Sequence, residues 1–347
     1  MTQKPAPAGL APLHSSRQAM IRVIRAAGAQ NASLIGALIA VLALFGFLND
    51  QYLTLANLAV IGQAVTIAGL LAVVQTAVII CGGIDISVGS QAGLAAVISA
   101  MVFAATGDGL ANGNPLIAIG AAMLVGAVCG VVNGVIIVYG RVNAIIATLA
   151  MLAAYKGIAQ LISGGRAQGY LLTDDLFIFI ARGSVGGIPA MILILAVIAL
   201  LVHLLLKTTD IGRNMYAIGG NAVAARLAGI NINKYIISVY VLVGMVASLA
   251  GVILAARSTA GHPTAGSEGL ELKAITAAFL GGCAIAGGKG GIGGTLLAVT
   301  LLGALEIGLT VVGVNPFWQN VAQGALLVVA VVIQQRRTGE RAVGLPG

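Results

Sequence analysis

Charge is what this sequence has least of. Only 8% of its 347 residues are Asp, Glu, Lys or Arg, against roughly 25% in an ordinary globular chain, so no soluble domain of useful size fits. Catalytic groupings are missing too. No H-E-x-x-H occurs, His14, His203 and His262 stand far apart, and there is no serine hydrolase elbow, which leaves a metalloprotease or hydrolase without its groups. The three cysteines, Cys81, Cys129 and Cys283, are odd in number, show no C-x-x-C spacing and lie in or beside apolar runs, so they read as small buried hydrophobes. The first 33 residues hold Lys4, Arg17, Arg22 and Arg25 but no short apolar core with a cleavage site after it. The first span is therefore expected to remain as an anchor.

What the sequence does have is apolar surface and glycine. Apolar residues make up 59% of the chain, and a membrane span needs about 20 of them in a row. The expected fold is an all-α integral membrane protein with about ten transmembrane helices, near residues 31–48, 55–80, 87–104, 115–138, 144–163, 190–206, 235–256, 272–285, 292–312 and 317–333. The two shortest, at 87 and 272, adjoin glycine clusters and suit broken or re-entrant helices. The 49 glycines, about 14% against a usual ~7%, point to helices packed backbone to backbone. Residues 1–30 read as a tail in which Met20, Ile21 and Ile24 oppose Arg22 and Arg25, as in a short interfacial helix over 18–27. Residues 31–336 form the transmembrane domain, and 337–347 a second tail.

Ten spans put both termini on one side, which the basic residues can test. With the termini in the cytoplasm, thirteen of the eighteen Lys and Arg fall inside. Only Arg166, Arg182, Arg257 and Lys273 fall outside, and Lys156 lies within a span. The outside loops instead collect Asp50, Asp108, Asp174, Asp175, Glu268 and Glu271. Tyr52, Tyr139, Tyr235 and Trp318 sit at span ends, where amphipathic rings anchor a helix. The net charge of +8 does not imply nucleic acid, because the basic residues are dispersed singly rather than gathered on one face. The longest outside loop, 164–189, carries an apolar patch at 176–180 that suits either an external partner or a cap on the bundle.

Four stretches carry chemistry or close packing. CGGIDISVGS at 81–90 reads as a tight turn between spans, with Asp85 or Ser87 accepting bonds from the free N–H groups of the next helix; such helix ends can also line a conduit. Gly126, Gly130 and Gly134 form a GxxxGxxxG ridge for helix packing. GGCAIAGGKGGIGGT at 281–295 only superficially resembles a phosphate loop, since Cys283 replaces its first glycine and Gly290 its Ser or Thr. No cofactor is expected on this chain, and energy for active transport must come from another chain or an ion gradient. Gln63, Gln75, Asp85, Asn133, Thr148, Gln160, Glu306 and Gln323 are polar groups inside or beside spans, and an ionisable one there is a candidate site. Lys156 and Glu306 suit either an interhelical pair or a position near water. Neutral amides and hydroxyls suit a polyhydroxylated solute, exchanging hydrogen bonds without desolvating a charge.

The fourth stretch is a polar island, KTTDIGRNMYAIGGNAVAARLAGININK at 207–234. It holds Lys207, Arg213, Arg226 and Lys234 against Asp210 alone. Asn221 is placed to cap a helix over 222–228 and Gly229 to stop it, with Gly212, Gly219 and Gly220 read as flanking turns. The product is a short cytoplasmic helix, shaped either as a knob for a partner's groove or as an ordinary structured loop.

AARLAGI at 224–230, preceded by GRNMYAIGGN at 212–221, resembles the cytoplasmic coupling loop of the ribose-type ABC sugar-importer permeases. GGIDISVGS at 82–90, GGKGGIGGT at 287–295 and NPFWQNVAQG at 315–324 are similar to that family's other motifs, so the likeness runs over about residues 33–337. It implies a multi-pass subunit of the bacterial inner membrane, paired with a second copy, a cytoplasmic ATPase carrying ATP and Mg, and an extracytoplasmic sugar-binding protein. Ala224, Ala225 and Gly229 match its Ala-Ala-x-x-x-Gly signature. Gly212, Arg213, Asn214, Gly219, Asn221 and Arg226 complete the implied ATPase contact. Lys156-Gly157 also matches a basic residue and glycine common in the family. The rival classes are an ion-driven sugar or polyol transporter, and an ABC permease for branched-chain amino acids or nucleosides.

Overall fold

The computed structural model describes residues 12–267, 269–315, 317–322, 324, 325, 327, 328 and 332, with backbone alone for 12–27, 29 and 30. The second helix, α2 (Leu55–Ile80), is its axis. Every residue from Val65 to Ile80 is buried, as expected where apolar residues occupy all sides of a helix. Twenty-six residues at 1.5 Å each make α2 about 39 Å long. Around it stand α1 (Pro12–Leu48), α3 (Val88–Ala105), α4 (Pro115–Val138), α5 (Ala144–Ser163), α7 (Ala190–Thr208), α10 (Ile232–Ser258) and α12 (Ile292–Val311). Short helices join them: α6 (Asp175–Arg182), α8 (Asp210–Gly220), α9 (Ala222–Leu227) and α11 (Leu270–Leu280). Four two-residue strands form two antiparallel pairs in the connections.

Among the described residues, eight helices are long and apolar enough to cross a membrane. Leu124, Val128, Ile146, Leu149, Val197, Leu200 and Leu201 are exposed on α4, α5 and α7, which gives the bundle an apolar exterior suited to lipid. Of the ten expected spans, the one at 272–285 is the exception. It is α11, eleven residues long, too short to cross by itself, because the Gly281–Gly282 turn ends it. The span at 317–333 lies only partly within the described residues. Within α1, Gly28 takes non-helical angles (φ 76°, ψ 152°) and divides a first helical stretch, which holds the helix expected at 18–27, from the first span at 31–48. The tails at 1–11 and 337–347 lie outside the described residues.

The connections at one end of the bundle lock together. Phe177 of α6 stacks on Phe103 at 5.0 Å, and Tyr170 lies 5.0 Å from the same ring. The patch at 176–180 therefore caps α3, with Phe177 and Ile180 buried. From this end residues 259–267 run back into the bundle beside α3. Gly261 packs against Val97, Pro263 against Gly93 and Gly266 against Gly89, a descent of about 12 Å along α3 at 1.5 Å per residue. α11 thus begins inside the bundle. Residues 81–87 climb in from the other end, so irregular backbone lies at membrane depth on both sides of α3, where it is tolerated only inside protein.

α4 and α10 pack through glycine. Gly126 lies on Gly244 and Ser248, Gly130 on the Tyr240 carbonyl, and a Cβ on Gly134 would stand 2.8 Å from the Ile237 Cα. The small-residue ridge at 126–134 is the surface that lets these two backbones touch.

Candidate coupling and translocation site

The polar island folds as a helical hairpin at the end where α2 stops. Thr209 caps α8, its Oγ1 accepting from Gly212 N at 3.2 Å. Asn221 caps α9 through Ala224 N at 3.0 Å. A cap of this kind contributes about 1 kcal/mol, which lets six residues hold a helix that they would not form alone in water. Gly229, at φ +83°, stops α9 by taking the left-handed conformation that a side chain would strain. Gly212 and Gly219 are not turns as expected. Both lie inside α8, and Gly220 is its last residue, because the glycines serve contact. A Cβ on Gly212 would overlap the Leu205 and Leu206 carbonyls, and one on Gly219 the Ile80 carbonyl.

α9 presents its side chains outward. Ala225 is buried, while Val223 and Leu227 are 71% and 85% exposed; Ala222, Ala224 and Arg226 are exposed too. Arg213 pairs with Asp210 on the exposed side of α8, and Asn214 Nδ2 donates to the Tyr235 hydroxyl at 2.6 Å. The hairpin is therefore fixed to the bundle by α8 and leaves α9 free as an apolar tip.

Three glycine segments meet beneath that hairpin. Gly288 N donates to the Ile80 carbonyl at 2.9 Å. A Cβ on Gly287 would lie 2.9 Å from the Gly82 Cα and 3.1 Å from the Gly219 Cα, and one on Gly288 would lie 2.7 Å from the Gly220 Cα. The Tyr216 hydroxyl closes the junction by donating to the Gly290 carbonyl at 2.9 Å. Burial, and then the neighbouring Cys283, push that hydroxyl above its ordinary range. The hairpin thus bears directly on the end of α2 and on the loop between α11 and α12.

Just inside the junction, Asp85 is fully buried and ringed by donors. Its Oδ1 accepts from Ser87 N at 2.8 Å and Ser87 Oγ at 2.6 Å. Its Oδ2 accepts from Gln91 Nε2 and Asn133 Nδ2, each at 3.2 Å. The Tyr155 hydroxyl donates to Asn133 Oδ1 at 2.9 Å, while Gln75, in the amide orientation that satisfies both ends, pairs with Asp85 N and O at 3.1 Å. Thr148 Oγ1 accepts from Ile86 N at 3.1 Å. Four of the eight path candidates, Gln75, Asp85, Asn133 and Thr148, are therefore brought together, from α2, the break before α3, α4 and α5. Ser87 makes no side-chain cap of α3; its hydroxyl faces Asp85 instead.

The other candidates lie apart. Gln63 is half-buried on α2 and Gln160 exposed on α5; Gln323 lies outside the described residues. Glu306 does not pair with Lys156. Its carboxylate accepts from Lys273 Nζ at 2.8 Å on each oxygen, because α11 and not α5 packs on α12. Sequence reasoning passed over Lys273, Gln91 and Tyr155. Gln91 sits one helical turn after Ser87, a spacing that offered a signal; nothing local marks Lys273 or Tyr155. Among the described residues there is no group of three or more His, Cys, Asp and Glu placed to hold a metal.

Residues 54–331 match the family model described as branched-chain amino acid transport system / permease component. The chain belongs to this permease family. It is 39% identical over 310 residues to the ribose import permease protein RbsC of Escherichia coli (strain K12), covering 89% of this chain and 94% of that one. RbsC of Bacillus subtilis (strain 168) is 36% identical over 291 residues, 84% and 88% of the two chains. The L-arabinose ABC transporter permease protein AraH of Azospirillum brasilense is 34% identical over 309 residues, 88% of each. No solved structure matches.

Proposed function

We propose that this chain is the membrane-spanning permease subunit of an ABC importer that moves a monosaccharide or related polyol across the bacterial inner membrane. The observation that carries this reading is the near full-length similarity to ribose and arabinose permeases. The exposed apolar tip of α9 supports it, since a chain with no nucleotide loop of its own needs a contact through which ATP binding elsewhere can act. In this reading ten spans place both termini in the cytoplasm, and two copies of the chain form the conduit. ATP and Mg bind the partner ATPase, which receives α9 along with Gly212, Arg213, Asn214, Gly219, Asn221, Ala224, Ala225, Arg226 and Gly229. A sugar-binding protein delivers solute from outside. Specificity rests mainly with that protein, because the permease must release solute as well as admit it.

Gly229→Asp tests the coupling assignment. It places a side chain at φ +83° and a negative charge at the last turn of α9, where a helix end disfavours it. Expected is an assembled complex whose ATP hydrolysis no longer responds to loaded binding protein. Transport and stimulation equal to wild type would sink the assignment. Uptake that survives ATP depletion but collapses with an uncoupler would instead mark an ion-driven transporter.

A further inference from the structure

Around the middle of α2 the helices part around a cavity of about 200 Å³, far more than the ~15 Å³ that admits one water. Its walls are Ala64 and Ala68 of α2, Leu254 and Arg257 of α10, and Lys273 and Glu306 of α11 and α12. Lys273 and Glu306 also line a smaller space of about 40 Å³, where Gln319 and Asn320 bring two amides. The pair thus borders both spaces, and its side chains are 25% and 36% exposed.

This is an unusual place for an ion pair that only holds helices together. Charge within a span is costly and lies on inner faces, along pathways for solute. Here the wall behind it is α2, the most buried helix of the chain. Lys273 commits two of its three N–H groups to Glu306, and each carboxylate oxygen can accept a further bond. The pair cancels its own charge and keeps donor and acceptor at fixed separation, while alanine and leucine supply an apolar face. Such a set suits a neutral polyhydroxylated ring.

We propose that the Lys273–Glu306 pair is a transient binding site for monosaccharide on its way through the permease, with Gln319 and Asn320 next in line. This rests on the importer reading above and adds the place where the solute touches this chain. A purely structural pair and a lipid headgroup against Lys273 and Arg257 are the competing explanations.

The test is uptake by the complete complex, this chain with its ATPase and binding protein, in phosphatidylethanolamine–phosphatidylglycerol vesicles. D-ribose and L-arabinose serve as probes, each saturating the binding protein. Glu306→Gln and Lys273→Met should each lower uptake ten-fold or more and shift the ribose-to-arabinose ratio at least three-fold. ATP hydrolysis without sugar should stay within two-fold. Reversing the pair, Lys273→Glu with Glu306→Lys, retains the ion pair but exchanges donor and acceptor, so uptake should remain low. Wild-type uptake and ratio in the reversed pair, or single variants within two-fold of wild type, would overturn the site while leaving the importer intact. Equal loss for both sugars that varies with vesicle phosphatidylglycerol content would assign the cavity to lipid and overturn it as well. Sugar uptake by the wild-type chain that survives ATP depletion and collapses with an uncoupler would remove the importer reading, and this site with it.

Discussion

The end of α2 at Ile80 and the middle of the same helix are built in opposite ways. At Ile80 three glycine segments meet backbone to backbone, with no side chain between the α8–α9 hairpin, the end of α2 and the loop at 287–288. At Ala64–Ala68, halfway along, the helix borders an open cavity of about 200 Å³. The junction at Ile80 has no slack, so a displacement of α8 must move what it touches. The middle has room, so helices there can shift, or a solute can enter, without overlap. A permease driven from one side and loaded from the other needs that asymmetry, since close-packed interiors transmit strain and cavities absorb it.

Substitutions that fill each region bring the contrast into view. Gly219→Val should have the largest effect, because its Cβ would overlap the Ile80 carbonyl. Overpacking of this kind costs about 3 kcal/mol, read as a lowered unfolding midpoint in detergent, and transport should fall at least a hundred-fold. A mild effect would show that the junction yields. Asp85→Ala comes next: with the carboxylate removed, Ser87, Gln91 and Asn133 lose a shared acceptor. The expected loss is about 2 kcal/mol, smaller in Asp85→Asn, measured by the same midpoint. Tyr216→Phe removes one bond to Gly290 and should cost about 1 kcal/mol, with hydrolysis stimulated less by loaded binding protein. Ala64→Val, which adds atoms beside the cavity, should cost under about 0.5 kcal/mol. If thermal melts place Ala64→Val beside Gly219→Val, the contrast between the two regions fails.

The sequence announced much of this. The boundaries of α2 and α4 follow from long apolar runs bounded by Thr54 and Asn114, whose side chains cap them as their type suggests. The length of α9 follows from Asn221 and Gly229 for the same reason. Glycine was harder to read. At Gly229 its role is local conformation, which a sequence displays, whereas at Gly219 it is contact with Ile80 and Gly288, far away in the chain, which a sequence does not. The polar candidates divide likewise. Asp85 and Ser87 are neighbours and were legible as a unit, but Asn133 reaches them across 46 residues from Ser87. Glu306 was visible as a charge in a span without its partner, because Lys273 lies 33 residues away on another helix.

By itself the sequence determined that the chain is a helical membrane protein, where most of its helices begin and end, and that one polar hairpin stands out from the apolar remainder. Those properties depend on composition, periodicity and capping, which act over a few residues. Tertiary structure alone decided that three distant glycine segments share one junction beneath that hairpin, that α11 starts inside the bundle, and that Lys273 rather than Lys156 meets Glu306. Each of these depends on which helices pack side by side, a matter settled by the fit of whole surfaces rather than by any stretch of residues.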